Sequence, residues 1–234
     1  VLAGAIVPGK YVRGTPISRR ELDEFLSIFP REQPVLTGGW AIRHWRYDGW
    51  MPLRTELFCA VQDTDATLDN FLSTGEWSHK RRTSDQWNTW AKAGAEGKCV
   101  TNHPDLITED GRPGPLTYEV ELYQGCVRYK RGCKFCIEPK KGVPIFRDEN
   151  EVITEITTAL DNGVNHVRIG GATDIYTYKA EGVVELEYPI PNPEPIAKVL
   201  HGLREDERLD ILHVDNANPS IIAENLEPAS EITR

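Results

Sequence analysis

Residues 148–171, "DENEVITEITTALDNGVNHVRIGG", hold one complete step from helix to strand. Asp148 with Glu151 three positions on forms a capping box, which satisfies orphan N–H groups at a helix start. Gly163 closes the helix, and "NHVRIGG" follows as a short apolar strand. The step repeats downstream. "NPEPIAKVLHGLRED" (192–206) is predicted as a helix with Asn192 as cap and Pro193 in the first turn, and "LDILHVDNANP" (209–219) as the next strand. Upstream, "LTYEVELYQG" (116–125) reads as the strand that precedes the first helix. Three successive β-then-α steps predict a parallel sheet, either an open α/β sheet or the start of a barrel.

The N-terminal part has the same alternation. "VLAGAIVPG" (1–9) and "PVLTGG" (34–39) read as buried strands on either side of "SRRELDEFLSIF" (18–29), a helix opened by a Ser18/Glu21 capping box. Strand–helix–strand at this length is a βαβ unit with parallel strands and a right-handed crossover. A third strand, "ELFCAVQ", leads into the acidic-capped "DTDATLDNFLSTG", and "SDQWNTWAKAGAEG" is a further helix. At "NHPDLITEDGRPGP" the composition shifts to Pro, Gly and Asp. This predicts a division into residues 1–115 and 116–234. The opening without an initiator Met and the close in "LEPASEITR" predict an excerpt of a longer protein.

Composition narrows the functional classes. Across 234 residues, 39% hydrophobic content and a net charge of −9 describe a globular chain. No run of 18 apolar residues is present, so no membrane span is predicted. The acidic balance argues against broad non-specific nucleic-acid binding. Five cysteines are too few for a disulfide scaffold, and a reducing, cytoplasmic setting is expected.

Three of those cysteines lie in "GCVRYKRGCKFCIEP" (125–139), directly after the first strand of the second part. Loops at the carboxyl ends of parallel strands form the active face of such folds. Thiolates select zinc, copper(I) or iron–sulfur clusters, and three of them leave a coordination position for a substrate or cofactor. Spacing alone leaves three readings open: a structural zinc site, an iron–sulfur site, or a redox pair at Cys133 and Cys136. Arg128, Lys130, Arg131 and Lys134 in the same loop read as solvated charges, or as contacts to an anionic substrate such as nucleic acid. The tryptophans of "GGWAIRHWRYDGW" (38–50) read as packing, with base stacking as the alternative. Cys59 and Cys99 read as small buried residues.

"GCVRYKRGCKFC" resembles the radical S-adenosylmethionine signature, with Phe135 in the aromatic position before the last cysteine. The usual spacing is C-x3-C-x2-C, whereas six residues separate Cys126 from Cys133 here. With "AGAIVPGKYVRGTPIS", the "HPDL" stretch, "GVNHVRIGGATDIYTY" and "HVDNANP", the chain is similar to an uncharacterised, largely archaeal radical S-adenosylmethionine group that has the longer first gap. Full-length members of that group carry a C-terminal helix-hairpin-helix segment, which this sequence does not contain.

The resemblance implies a Rossmann-like N-terminal part followed by the first half of a partial (β/α) radical S-adenosylmethionine barrel. It implies a 4Fe–4S cluster on Cys126, Cys133 and Cys136, with S-adenosylmethionine on the fourth iron. The implied reaction is reductive cleavage of S-adenosylmethionine to start a radical reaction on a substrate, with RNA or another macromolecule as a candidate. An electron donor such as ferredoxin or flavodoxin is the implied partner. Gly170, Gly171 and Asp174 stand where the family has its Gly-rich segment for the methionine amino group, although the usual GGE is altered to "GGATD". Asp215 is a further cofactor-binding candidate at the end of the next strand, with Asn216 and Asn218 read equally as turn formers and caps. The cobalamin-ligating D-x-H-x-x-G pattern is not visible, so cobalamin is not predicted. The rival expectation is a non-catalytic iron–sulfur electron-transfer module, or a zinc-binding nucleic-acid module.

Overall fold

The computed structural model describes residues 1–3, 17–39, 41–42, 49–97, 117–134, 136, 138–170 and 174–233. The chain divides into two compact units, Val1–Gln86 and Trp87–Arg234. The Pro/Gly/Asp-rich stretch at 103–115, read from sequence as the boundary, lies outside the described residues.

In the first unit, β1 (Leu2–Ala3), β2 (Leu36–Gly38) and β3 (Phe58–Cys59) form a parallel sheet in that order, with Leu2 opposite Thr37 and Leu36 opposite Phe58. Helix α1 (Arg19–Ser27) connects the first two. Its start is the predicted capping box: the Glu21 amide donates to Ser18 Oγ at 3.2 Å, and the Ser18 amide donates to Glu21 Oε2 at 2.7 Å. Leu22 and Leu26 on α1 bury against Val35, Ile42 and Trp50. Trp50 is thus a core residue, anchored by its indole N–H to Asp23 Oδ2. Helix α2 (Thr64–Thr74) follows β3. Asp63 flanks its N-terminus without a side-chain capping bond; its carboxylate accepts from the Arg82 amide. Helix α3 (Ser84–Glu96) runs across the division, its residues from Trp87 onward belonging to the second unit.

The second unit is built on β4 (Thr117–Glu121), β7 (His166–Gly170) and β8 (Ile211–Val214), all parallel. Helix α4 (Glu149–Asp161) joins the first two strands and α5 (Pro193–Arg204) leads to the third; both start with the expected caps, Asp148 and Asn192. Short helices α6 (Pro219–Glu224) and α7 (Leu226–Ile232) follow β8. The two faces of this sheet differ chemically. Val120, Val167 and Ile169 are buried with Val152, Ile156, Ile196, Val199 and Leu203 of the helices. The alternate residues Glu119, Arg168 and His213 stand in one cross-strand row on the other face.

"LTYEVELYQG" is not one strand. It breaks at Leu122 into β4 and β5 (Tyr123–Gln124), and β5 pairs antiparallel with β6 (Ile145–Phe146). Leu122 and Tyr123 are both fully buried, so the chain turns inward there, and strict alternation ends. The architecture is mixed α/β with parallel sheets. Among the described residues, no helix is long and apolar enough to cross a membrane.

Candidate functional site

The pairing of β5 with β6 closes residues 125–144 into a loop with a fixed base. Arg147 N donates to Leu122 O, and Cys126 N donates to Gly142 O at 2.9 Å. Gly125 sits at φ +121°, and a Cβ there would lie 2.7 Å from the carbonyl oxygen of Val143 and from the Pro144 Cα. Only glycine fits where the two ends of the loop cross. Further out, a Cβ on Gly132 would strike the Pro139 ring at 2.3 Å, so the loop folds back on itself at that point.

All three cysteines lie on this loop. Cys126 is buried at its base, where its sulfur accepts from the Arg128 amide at 3.4 Å. Cys133 is exposed and Cys136 is half-buried, and a turn links them through Cys136 N and Cys133 O at 3.1 Å. Among the described residues, no three of His, Cys, Asp and Glu converge to metal-holding distance. The loop therefore gathers the thiols on one segment without drawing them into one cluster. Phe135 and Gly171 lie outside the described residues, as does Cys99. Cys59 is half-buried in the first unit and accepts from Thr37 Oγ1 at 3.2 Å.

The other candidates sit where β7 and β8 end. Gly170 is buried beneath the Glu119 side chain, and a Cβ on it would come within 2.9 Å of Glu119 Oε1. Asp174 is 1% exposed. Its Oδ1 accepts from the Tyr176 amide at 3.0 Å, capping a short 3-10 turn (Ile175–Thr177). Among the described residues, its Oδ2 is buried without a hydrogen-bond partner of ordinary geometry. Burial pushes the carboxyl up to about 6, against the smaller opposing pull of the Tyr176 and Asn218 amides. The Asp174 backbone is held by Tyr123, whose hydroxyl donates to Asp174 O at 2.8 Å and accepts from Asp174 N at 3.0 Å. Tyr123 precedes Cys126 by three residues, so one hydroxyl ties the loop base to the segment after β7.

Asp215 is ion-paired with Arg168, and its other oxygen lies 3.7 Å from His213 Nε2. Arg168 also reaches Glu119 at 3.4 Å. Asn218 caps α6, accepting from the Ser220 amide, and the Asn216 carbonyl accepts from the Ile175 amide. Both asparagines therefore have turn-forming roles. Tyr123, Arg168 and Glu119 were not marked by the sequence. The equal spacing of charged residues along β4, β7 and β8 was the available signal, but it needs the strand register to become a row.

No family model matches the chain. It is similar along its whole length to two uncharacterised archaeal proteins: one from Methanocaldococcus jannaschii, 30% identical over 253 aligned positions, and one from Archaeoglobus fulgidus, 30% identical over 241. The chain spans 44% and 40% of their respective lengths, less than half of each curated relative.

Proposed function

We propose that this chain is the cofactor-binding part of a radical S-adenosylmethionine enzyme, with Cys126, Cys133 and Cys136 holding a 4Fe–4S cluster. The observation that carries the reading is Asp174 Oδ2, a buried carboxylate oxygen with no hydrogen-bond partner of ordinary geometry among the described residues, one strand from the cysteine loop. An orphaned buried acceptor is costly, and an ammonium group of a ligand is the kind of donor that satisfies it. The donor set of the loop fits the cluster as well: three soft thiolates and no fourth cysteine between residues 125 and 144. When bound, the reduced cluster supplies the electron that cleaves S-adenosylmethionine.

The residues of the chain have separable parts in this scheme. The closed base formed by β5 and β6 fixes Cys126, and the turn at 133–136 brings the backbones of the other two cysteines together. Tyr123 orients Asp174 toward the same end of the sheet. The polar row Glu119–Arg168–His213 favours a barrel over a doubly wound sheet, because a doubly wound sheet is covered by helices and apolar on both faces. The first unit, with three parallel strands and a helical crossover, is read as Rossmann-like. The setting proposed is the cytoplasm, where thiols stay reduced.

Anaerobic reconstitution of the full-length protein tests this. About four irons per chain are expected for a cluster of this type, lost on substitution of each of the three cysteines by alanine and kept in Cys59→Ala and Cys99→Ala. Stoichiometric zinc with negligible iron after that treatment contradicts the proposal and leaves the structural-zinc reading.

A further inference from the structure

A cavity of about 250 Å³ lies beside the cysteine loop, between residues 127–131 and residues 183–187. One wall carries Arg128, Tyr129, Lys130 and Arg131; the other carries Glu185 and Glu187. The second wall is a loop with pinned ends, since Glu181 and Ile190 exchange two backbone hydrogen bonds of 2.9 and 3.0 Å. The walls are held together lightly. Lys130 Nζ donates to the Val184 carbonyl at 3.1 Å, and Arg131 stands 3.9 Å from Glu187 with both side chains largely exposed. Exposed pairs of this kind contribute little to stability, so a ligand can displace them.

From these groups we infer that the cavity binds one base of a single-stranded nucleic acid, with the flanking phosphates on the loop cations. Each part of a nucleotide has a counterpart. The volume lies just below the range of small-molecule pockets, about 300–1,000 Å³, which suits a flat heterocycle. Tyr129 lines the cavity with Lys130 Nζ 5.4 Å from its ring centroid, a contact that a stacked base would replace with sequence-tolerant affinity. Arg128, Lys130, Arg131 and Lys134 are four cations in seven residues, with no acidic residue between positions 122 and 137, in a chain of net charge −9. Such a local concentration of cations neutralises phosphates without making the whole surface sticky. Glu185 and Glu187 are suited to accept hydrogen bonds from the N1–H and exocyclic amino group of guanine, or from the exocyclic amino group of cytosine. The assignment rests on the cysteine loop being the reactive face proposed above, since it names the substrate presented there. The binding itself does not require iron.

The test is fluorescence anisotropy on the full-length protein at low salt, with labelled oligonucleotides of roughly 12 nucleotides, matched to common single-strand site sizes. Guanine-rich and uridine-rich RNA, the corresponding DNA, and a duplex are compared. Single strands are expected to bind and the duplex to bind more weakly; RNA against DNA identifies the natural source. Lys130→Glu with Arg131→Glu is expected to weaken binding by at least tenfold and to lower the salt slope by about 1.4, at ~0.7 for each phosphate no longer neutralised. Tyr129→Ala is expected to cost roughly 5- to 150-fold, the equivalent of ~1–3 kcal/mol per stacked base. Glu187→Gln is expected to alter the preference between guanine and uridine while leaving the salt slope unchanged. Unchanged thermal melting of each variant establishes that it is folded, as expected for the exposed Lys130, Arg131 and Glu187 and the half-buried Tyr129. No single-strand binding, or binding indifferent to both the double variant and Tyr129→Ala, overturns the inference. Iron content, measured on the same samples, bears only on the cluster, so the two proposals fail separately.

Discussion

Arg54 is buried and has no counterpart in the sequence reading. Its guanidinium donates to the carbonyls of Leu26, Phe29, Pro30, Arg31 and Gln33, and through Nε to Glu56. It thus collects carbonyls at and beyond the C-terminal end of α1, which a helix leaves unsatisfied. A planar fork with five N–H groups serves this cluster; the three donors of lysine do not. Arg54→Met is expected to destabilise the first unit by about 3 kcal/mol, and Arg54→Lys to recover only part of that, as read by urea unfolding. Asp174 makes the opposite case. Its pKa is raised by burial from the ordinary carboxylate value to about 6, so the folded state holds the proton more tightly than the unfolded chain. The stability associated with the protonated form is fully present below pH ~4 and is lost as pH rises through about 6. Asp174→Asn should therefore gain on the wild type between pH 5 and pH 7, by about 1–3 kcal/mol, when unfolding free energy is followed against pH. A gain that is the same at pH 4 and pH 7 would contradict the assigned burial. The resemblance of "GGATD" to a Gly-rich cofactor segment pointed to Asp174, but nothing in the sequence showed that one oxygen is buried without a partner among the described residues.

At the scale of elements, helices were the most legible parts. The Ser18/Glu21 and Asp148/Glu151 boxes and the Asn192 cap are local signals, and each closes within a few residues of itself. The division of 116–125 into β4 and β5 was not legible, because it depends on a partner strand some twenty residues later. Polar residues on β4, β7 and β8 had the same fate: Glu119, Arg168 and His213 become neighbours only through the register. The closed base of the cysteine loop gives a prediction at this level. Gly125→Ala cannot be accommodated without moving the Val143–Pro144 backbone, so the β5–β6 pairing should loosen. The expected result is faster alkylation of Cys126, which is 6% exposed in the closed base, with little change at the exposed Cys133. Equal rates in the variant and wild type would mean that the pairing does not protect Cys126.

For the molecule as a whole, the α/β class followed from alternation along the chain, while the proposed reactive face followed from the placement of one loop after one strand. The two compact units each carry a parallel sheet, and the second presents its thiol loop and Asp174 at the same end. The three sulfurs do not converge among the described residues, so the cluster reading rests on the donor chemistry of the loop and on Asp174. The measurement that bears on it most directly is the electron paramagnetic resonance spectrum of the reduced full-length protein, recorded with and without S-adenosylmethionine. The account predicts a signal from a 4Fe–4S cluster that changes shape when S-adenosylmethionine is added, because one iron gains new ligands, and a weaker change in Asp174→Asn. A cluster signal that is identical with and without the compound, at saturating concentration, would contradict it.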